Sequence, residues 1–259
     1  MTTNLLTGQK FNELLNEQNY KKVCRKIVQE NGLNLKYIKD QTTEICMEAV
    51  YRNGLALEHV IIQTKEIVME ALKRNGLALQ KIKDQTFELC CFAIKQNWCA
   101  MQFVKDQTKE ICRFAIKHDY RTLQKIRDQT EEMCLFALEI TPFVLEYIRE
   151  QTEEMCLEAV KKNGVVLYAV KKQTDEICLE AVKNNHTSFK HVKNQTREIC
   201  LEAVRQNGHA IWDVKDQTYE LCLVAVRTNG NALYYIRGIT DELWWKLLAD
   251  ARKKFEIIK

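Results

Sequence analysis

Apolar side chains recur along this chain in a fixed figure. In the stretch that begins at Gln41 they fall at Ile45, Cys46, Ala49 and Val50, then at Ala56, Leu57 and Val60, with polar residues between. The first four have helical spacing and predict an amphipathic helix of about ten residues, while the last three predict a second, shorter helix. Gln-Thr pairs at Gln41, Gln63, Gln85, Gln107, Gln129, Gln151, Gln173, Gln195 and Gln217 repeat this figure every 22 residues without a slip. Such self-similarity reads as an array of small units. Helices this short are marginal alone, and about five apolar side chains per unit, each worth roughly 1.5–3 kcal/mol on burial, suffice only when shared between stacked neighbours. The expected fold is all-α, an α-solenoid of about ten 22-residue two-helix repeats with helical caps at both ends.

Within a unit the local signals agree. Thr42 stands where an N-cap belongs, with Glu44 in the first turn, and all ten Thr-x-Glu triplets keep that carboxylate near the free amides and the positive end of the helix dipole. Asn53-Gly54 is expected to close the first helix by taking the left-handed conformation. In one unit Thr141-Pro142 replaces it, and proline after a capping threonine marks the start of the second helix. Residues 1 to 18 lie outside the period, and Phe11, Leu14 and Leu15 predict an N-terminal capping helix there. The array runs from 19 to 238, ten units of which the first, 19 to 40, is degenerate. Residues 239 to 259 continue through Trp244, Trp245 and Phe255 without Asn-Gly and predict a longer C-terminal capping helix.

Composition narrows the function classes. With 46% apolar and 29% charged residues, one proline and eight glycines in 259 positions, the chain suits a folded soluble protein with few linkers. Its net charge of +4, from 39 basic and 35 acidic side chains, gathers in no tail, so charge alone predicts no nucleic acid. The start from Met1 to Leu6 lacks a basic stretch before an apolar run, and no run approaches the roughly 18 apolar residues of a membrane span, so neither export nor a membrane partner is expected. Nine of the eleven cysteines share one register (Cys24, Cys46, Cys90, Cys112, Cys134, Cys156, Cys178, Cys200 and Cys222), and Val68 fills the same slot in the unit that lacks one. A slot that accepts Cys or Val behaves as a small buried hydrophobe, and stacking sets successive sulfurs roughly 9–10 Å apart, too far to bridge. Reduced core thiols and a reducing compartment are expected. Cys90, Cys91 and Cys99 lack the histidine partners and spacing of a zinc site, and no metal or cofactor is expected. The glycosylation-like triplets at Asn185 and Asn194 follow from the repeat itself.

The repeated motif, Asp-Gln-Thr-x-Glu-Ile-Cys-Leu-Glu-Ala-Val-Lys-x-Asn-Gly-x-Ala-Leu, resembles the repeat of the family catalogued as domain of unknown function 4116, abundant in giant viruses of amoebae. Residues 19 to 238 carry the resemblance, best at Gln151 to Val170 and Gln195 to Val214. It is weakest from 85 to 150, where Asn97-Trp98, Asp119-Tyr120 and Thr141-Pro142 stand in place of Asn-Gly. The resemblance implies a helical repeat fold and a giant-virus source. With the reduced thiols it implies the cytoplasm of an infected host cell, in a viral factory or a virion. It supplies no activity and no site.

Nothing in the sequence points to catalysis. His59, His118, His186, His191 and His209 pair with no nucleophile, there is no glycine-rich phosphate loop, and the repeated glutamates are capping carboxylates, so no enzyme and no catalytic residue is expected. The glutamine ladder is expected to hydrogen-bond neighbouring backbone groups or itself. Two basic columns also run along the array. Lys83, Lys105, Arg127, Arg149, Lys171, Lys193, Lys215 and Arg237 end the second helices; Lys73, Lys95, Lys117, Lys161, Lys183, Arg205 and Arg227 end the first. Near helix C-termini and beside Glu44- and Asp84-type carboxylates they read as solvated, mutually neutralised ladders. A nucleic-acid-binding solenoid, tracking phosphates with Lys83, Lys105, Arg127, Arg149, Lys171, Lys193 and Lys215, is the second reading.

Departures from the repeat carry more information. On a helical wheel Glu48 falls on the face opposite Ile45, Cys46, Met47, Ala49 and Val50 and should see solvent. Phe92, Phe114 and Phe136 occupy that slot in three consecutive units, which also lose Asn-Gly and gain Trp98, Tyr120 and Phe143. An aromatic strip rimmed by Lys95, Lys117 and Arg113 has the look of a partner site, unless altered turns or a terminal segment cover it. A second aromatic concentration, Trp212, Tyr219, Tyr234, Tyr235, Trp244 and Trp245, is most simply buried under the C-terminal cap. The expected function is therefore a protein-interaction scaffold without catalysis, contacting a protein partner or a second copy, as in a homodimer, through Phe92, Phe114, Phe136, Trp98, Tyr120 and Phe143.

Overall fold

Each repeat starts at its threonine. Thr42 Oγ1 accepts from Ile45 N at 3.3 Å, and the same bond recurs from Thr130 to Met133 and from Thr152 to Met155. It satisfies one of the amides that a helix start leaves free. The computed structural model describes residues 17–256, and the helices fall into two units, Met1–Gln129 and Thr130–Lys259. In the first unit α1 (Glu17–Glu30), α2 (Thr43–Arg52), α3 (Lys65–Arg74), α4 (Phe87–Gln96) and α5 (Lys109–His118) each lead into a 3₁₀ helix, in turn η1 (Gly32–Tyr37), η2 (Gly54–His59), η3 (Gly76–Lys81), η4 (Trp98–Phe103) and η5 (Tyr120–Lys125). In the second, α6 (Glu131–Ile140), α7 (Glu153–Lys162), α8 (Asp175–Asn184), α9 (Arg197–Gln206) and α10 (Tyr219–Thr228) lead into η6 (Pro142–Tyr147), η7 (Gly164–Ala169), η8 (His186–His191), η9 (Gly208–Asp213) and η10 (Gly230–Tyr235), and α11 (Asp241–Glu256) follows. Within each unit every α-helix packs on the next and every 3₁₀ helix on the next, which is the all-α solenoid expected. Of the N-terminal cap expected over 1 to 18, residues 1 to 16 lie outside the described residues, and Glu17 already belongs to α1.

The second helix of each repeat is a 3₁₀ helix. Ala56 N donates to Asn53 O at 2.8 Å and Val60 N to Leu57 O at 3.2 Å, each three residues back. Six residues per element give a three-residue turn enough bonds to close, and the same turn aims Leu57 and Val60 inward together. At Thr141 the threonine hydroxyl accepts from Phe143 N at 3.4 Å, with proline at the first position of η6.

The Asn-Gly pair does not turn left-handed. Asn53 is extended, with φ −151° and ψ 109°, and among the described residues the only positive φ is 63° at Gly238. Asn53 Oδ1 accepts from Leu55 N at 3.0 Å and Asn53 N donates to Ala49 O at 3.0 Å, so the asparagine caps the start of η2 as well as the end of α2. Gly54 is required by a close approach: a Cβ there would lie 2.5 Å from Ala71 O on α3. The pair therefore joins one repeat to the next.

The core is a seam of Ile45, Cys46, Ala49, Val50, Ala56 and Leu57 and their counterparts, each at most 4% exposed in this repeat. Its width corrects the expectation for Glu48. That side chain is only 17% exposed and pairs with Arg52 at 3.0 Å. A helix stacked between two neighbours leaves water a narrower arc than a wheel drawn for a lone surface helix.

Candidate functional site

The invariant glutamine is used up in the fold. Gln173 Nε2 donates to Leu167 O at 3.4 Å and to His191 O of the following 3₁₀ helix at 2.9 Å. Its Oε1 accepts from Lys193 N at 2.9 Å and from the Cys178 thiol at 3.4 Å. Two donors and two lone pairs exhaust a carboxamide. Gln85 makes the corresponding bonds to Leu79 O, Phe103 O, Lys105 N and the Cys90 thiol. Because these partners include backbone atoms of two successive 3₁₀ helices, the ladder holds register between neighbouring repeats within each unit and leaves these amides no free group for a ligand.

The basic column beside it is also engaged. Lys105 Nζ donates to Lys83 O at 2.6 Å, Arg127 to Lys105 O at 2.7 Å, Lys171 to Arg149 O at 2.6 Å, Lys193 to Lys171 O at 3.3 Å and Lys215 to Lys193 O at 3.0 Å. Each cation supplies the donor that the bend of the preceding repeat lacks, with the added attraction of a positive charge for a carbonyl dipole. All of these residues keep exposed surface. Their charged ends, however, are turned onto the protein's own carbonyls and not held out in a row.

The aromatic strip divides between the units. In the first, Phe92, Trp98, Phe114 and Tyr120 are half-buried. Phe114 meets the edge of Phe87 at 6.4 Å between centroids, stacks with His118 at 6.3 Å and lies under Lys95 Nζ at 5.5 Å. Trp98 carries the Arg121 guanidinium 5.3 Å above its ring, and Arg121 is fixed in turn by a bidentate pair with Asp119. In the second unit Phe136 is half-buried and Phe143 exposed. The expected open strip is thus largely tucked against neighbouring side chains.

Phe92, though half-buried, borders open space. It lines a groove of about 730 Å³ between α3 and α4, with Ile61, Met69, Ile82 and Leu89 beside it and charged residues at its rim. Ile61 is 63% exposed and Ile62 75%. They occupy the slots that Lys83-Asp84 and Lys105-Asp106 hold in the next repeats, so the polar ladder gives way to apolar surface beside the groove. Sequence reasoning passed over these two residues. The break was visible as Val60-Ile61-Ile62-Gln63, where lysine and aspartate recur elsewhere.

Burial pushes the core thiols up, to about 11 for Cys90, Cys112 and Cys178, so they stay protonated and inert at neutral pH. Desolvation lowers the pKa of His191. Among the described residues no group of three His, Cys, Asp or Glu side chains is placed to hold a metal ion, and no helix is long and apolar enough to cross a membrane.

The family described as Domain of unknown function (DUF4116) matches residues 64–109, 152–196, 174–218 and 196–239, just over half of the chain. Each match covers two repeats, and the last three are shifted from one another by one repeat. No curated protein and no solved structure matches the chain.

Proposed function

The chain belongs to the family of the domain of unknown function 4116, whose description names no reaction, and on that premise we propose that it is a non-catalytic protein-interaction scaffold using the groove around Phe92 and Ile61. The observation that supports this reading is the apolar surface: Ile61 and Ile62 stand more than half exposed beside a groove floored by Met69, Leu89 and Phe92. Exposed β-branched residues gain nothing in the isolated chain and gain roughly 1.5–3 kcal/mol each when a partner covers them. The occupant is an apolar segment of a protein partner or of a second copy.

The nucleic-acid reading has less support, since five of the seven cations it needs are bound to carbonyls of the preceding repeat. Protonated, buried thiols suit a reducing compartment such as the cytoplasm of a host cell. The test compares the intact protein with Phe92→Glu and Ile61→Glu in affinity capture and sedimentation velocity. The reading predicts a bound protein or a second copy with the native surface and its loss in both variants at unchanged folding. Equal binding by all three proteins would remove it.

A further inference from the structure

The second unit carries another groove, of about 420 Å³, walled by η8 and η9 and unrelated to the Phe92 surface. Its chemistry differs from that of the first. Trp212 on η9 is 65% exposed, although its ring meets Tyr235 at 5.5 Å, nearly perpendicular, and Tyr235 meets His209 at 5.1 Å. The three rings form a connected aromatic wall with the indole outermost.

His209 is held in one tautomer. Asn229 Oδ1 accepts from Asn231 N at 3.0 Å as the cap of η10, which turns Asn229 Nδ2 toward His209 Nε2 at 3.1 Å. An amide nitrogen can only donate, so Nε2 of His209 bears the lone pair and Nδ1 the hydrogen. Around the same groove Lys190 Nζ, the Asp213 carboxylate and the His186 ring make no hydrogen bond within the described residues. Donors and an acceptor therefore line the same groove as an exposed indole, and one lysine and one aspartate leave the lining without net formal charge.

An anion would meet Asp213, and a purely apolar ligand would strip water from Lys190 and Asp213 without compensation. A neutral molecule with one apolar face and many hydroxyls matches both parts. We infer that this groove is a carbohydrate-binding site, with a pyranose ring stacked on Trp212 and its hydroxyls bonded to Asp213, Lys190 and the His209 Nδ1–H. The volume lies within the range of small-molecule sites.

The test is intrinsic fluorescence of the full chain titrated with disaccharides of glucose, galactose, mannose and N-acetylglucosamine, with uridine and adenosine monophosphate alongside. A saturable change in tryptophan emission with at least one disaccharide is expected at roughly millimolar Kd. It should vanish in Trp212→Ala and weaken about tenfold in Asp213→Asn, with both variants folded, since Asp213 is exposed and Trp212 gives up only its edge contact with Tyr235. Absence of a saturable response to every disaccharide, a response that survives Trp212→Ala, or a response confined to uridine and the nucleotide would overturn the proposal.

Discussion

The carboxamide of Gln85 accepts the backbone N–H of Lys105, twenty residues on, at 2.9 Å, while its Nε2 reaches Leu79 O and Phe103 O, both at 3.0 Å. One side chain thus ties the end of one 3₁₀ helix to the end of the next. Replacing Gln85 by alanine leaves an amide and two carbonyls without this partner, at about 0.5–1.5 kcal/mol per bond. Gln85→Ala is expected to lower stability by about 2 kcal/mol, measured by urea unfolding. A loss under about 0.5 kcal/mol would show that water replaces the carboxamide freely.

The glycines separate contact from conformation. A Cβ on Gly76 would sit 2.6 Å from Ala93 O, a backbone atom of α4 that cannot rotate away, whereas a Cβ on Gly230 meets nothing within 4 Å. Gly76→Ala is expected to cost about 2–3 kcal/mol as overpacking. Gly230→Ala, at a position without positive φ, should be neutral or add about 0.4–1 kcal/mol by restricting the unfolded chain. Thermal unfolding of the two variants checks this, and equal losses would contradict the contact account.

Stability should fall on the alkaline side. Cys90, Cys112 and Cys178 keep their protons to about 11 against an ordinary value of 9.0, because burial penalises the thiolate. Above pH 9 the unfolded chain therefore binds fewer protons than the folded one, and stability declines as pH rises. The contribution is fully present below pH 9 and is lost toward pH 11. Urea midpoints measured from pH 8 to about 10.5 should drop, and more gently in Cys112→Val, for which Val68 is a native precedent in the same slot. Superimposable curves for the two proteins would show that the thiols do not carry the effect.

Much of this was legible because it is local or periodic. The threonine caps, the register of the core and the burial of the cysteines all follow from residues that interact within a few positions or by pattern. What was misread depended on neighbours. Gly54 looked like a left-handed cap until the Ala71 carbonyl was placed against it, and Glu48 looked outward until flanking helices narrowed the open arc. Phe114 and Trp98 drew attention as exposed rings, but Lys95, His118 and Arg121 partly cover them. Ile61 and Ile62 were overlooked because a substitution in a polar ladder stands out less than three phenylalanines in a row.

The interaction account rests on Phe92, which lines an open groove. Phe92→Glu places a charge at its wall with room to reach solvent, so the unfolding free energy should hold within about 1 kcal/mol. The most direct measurement is affinity capture with the native and Phe92→Glu proteins side by side, each also run in sedimentation velocity. Retention of a protein partner or a second copy by the native chain, and its loss in a folded Phe92→Glu variant, is the predicted result. The same binding by both, or a Phe92→Glu chain that fails to fold, would contradict it.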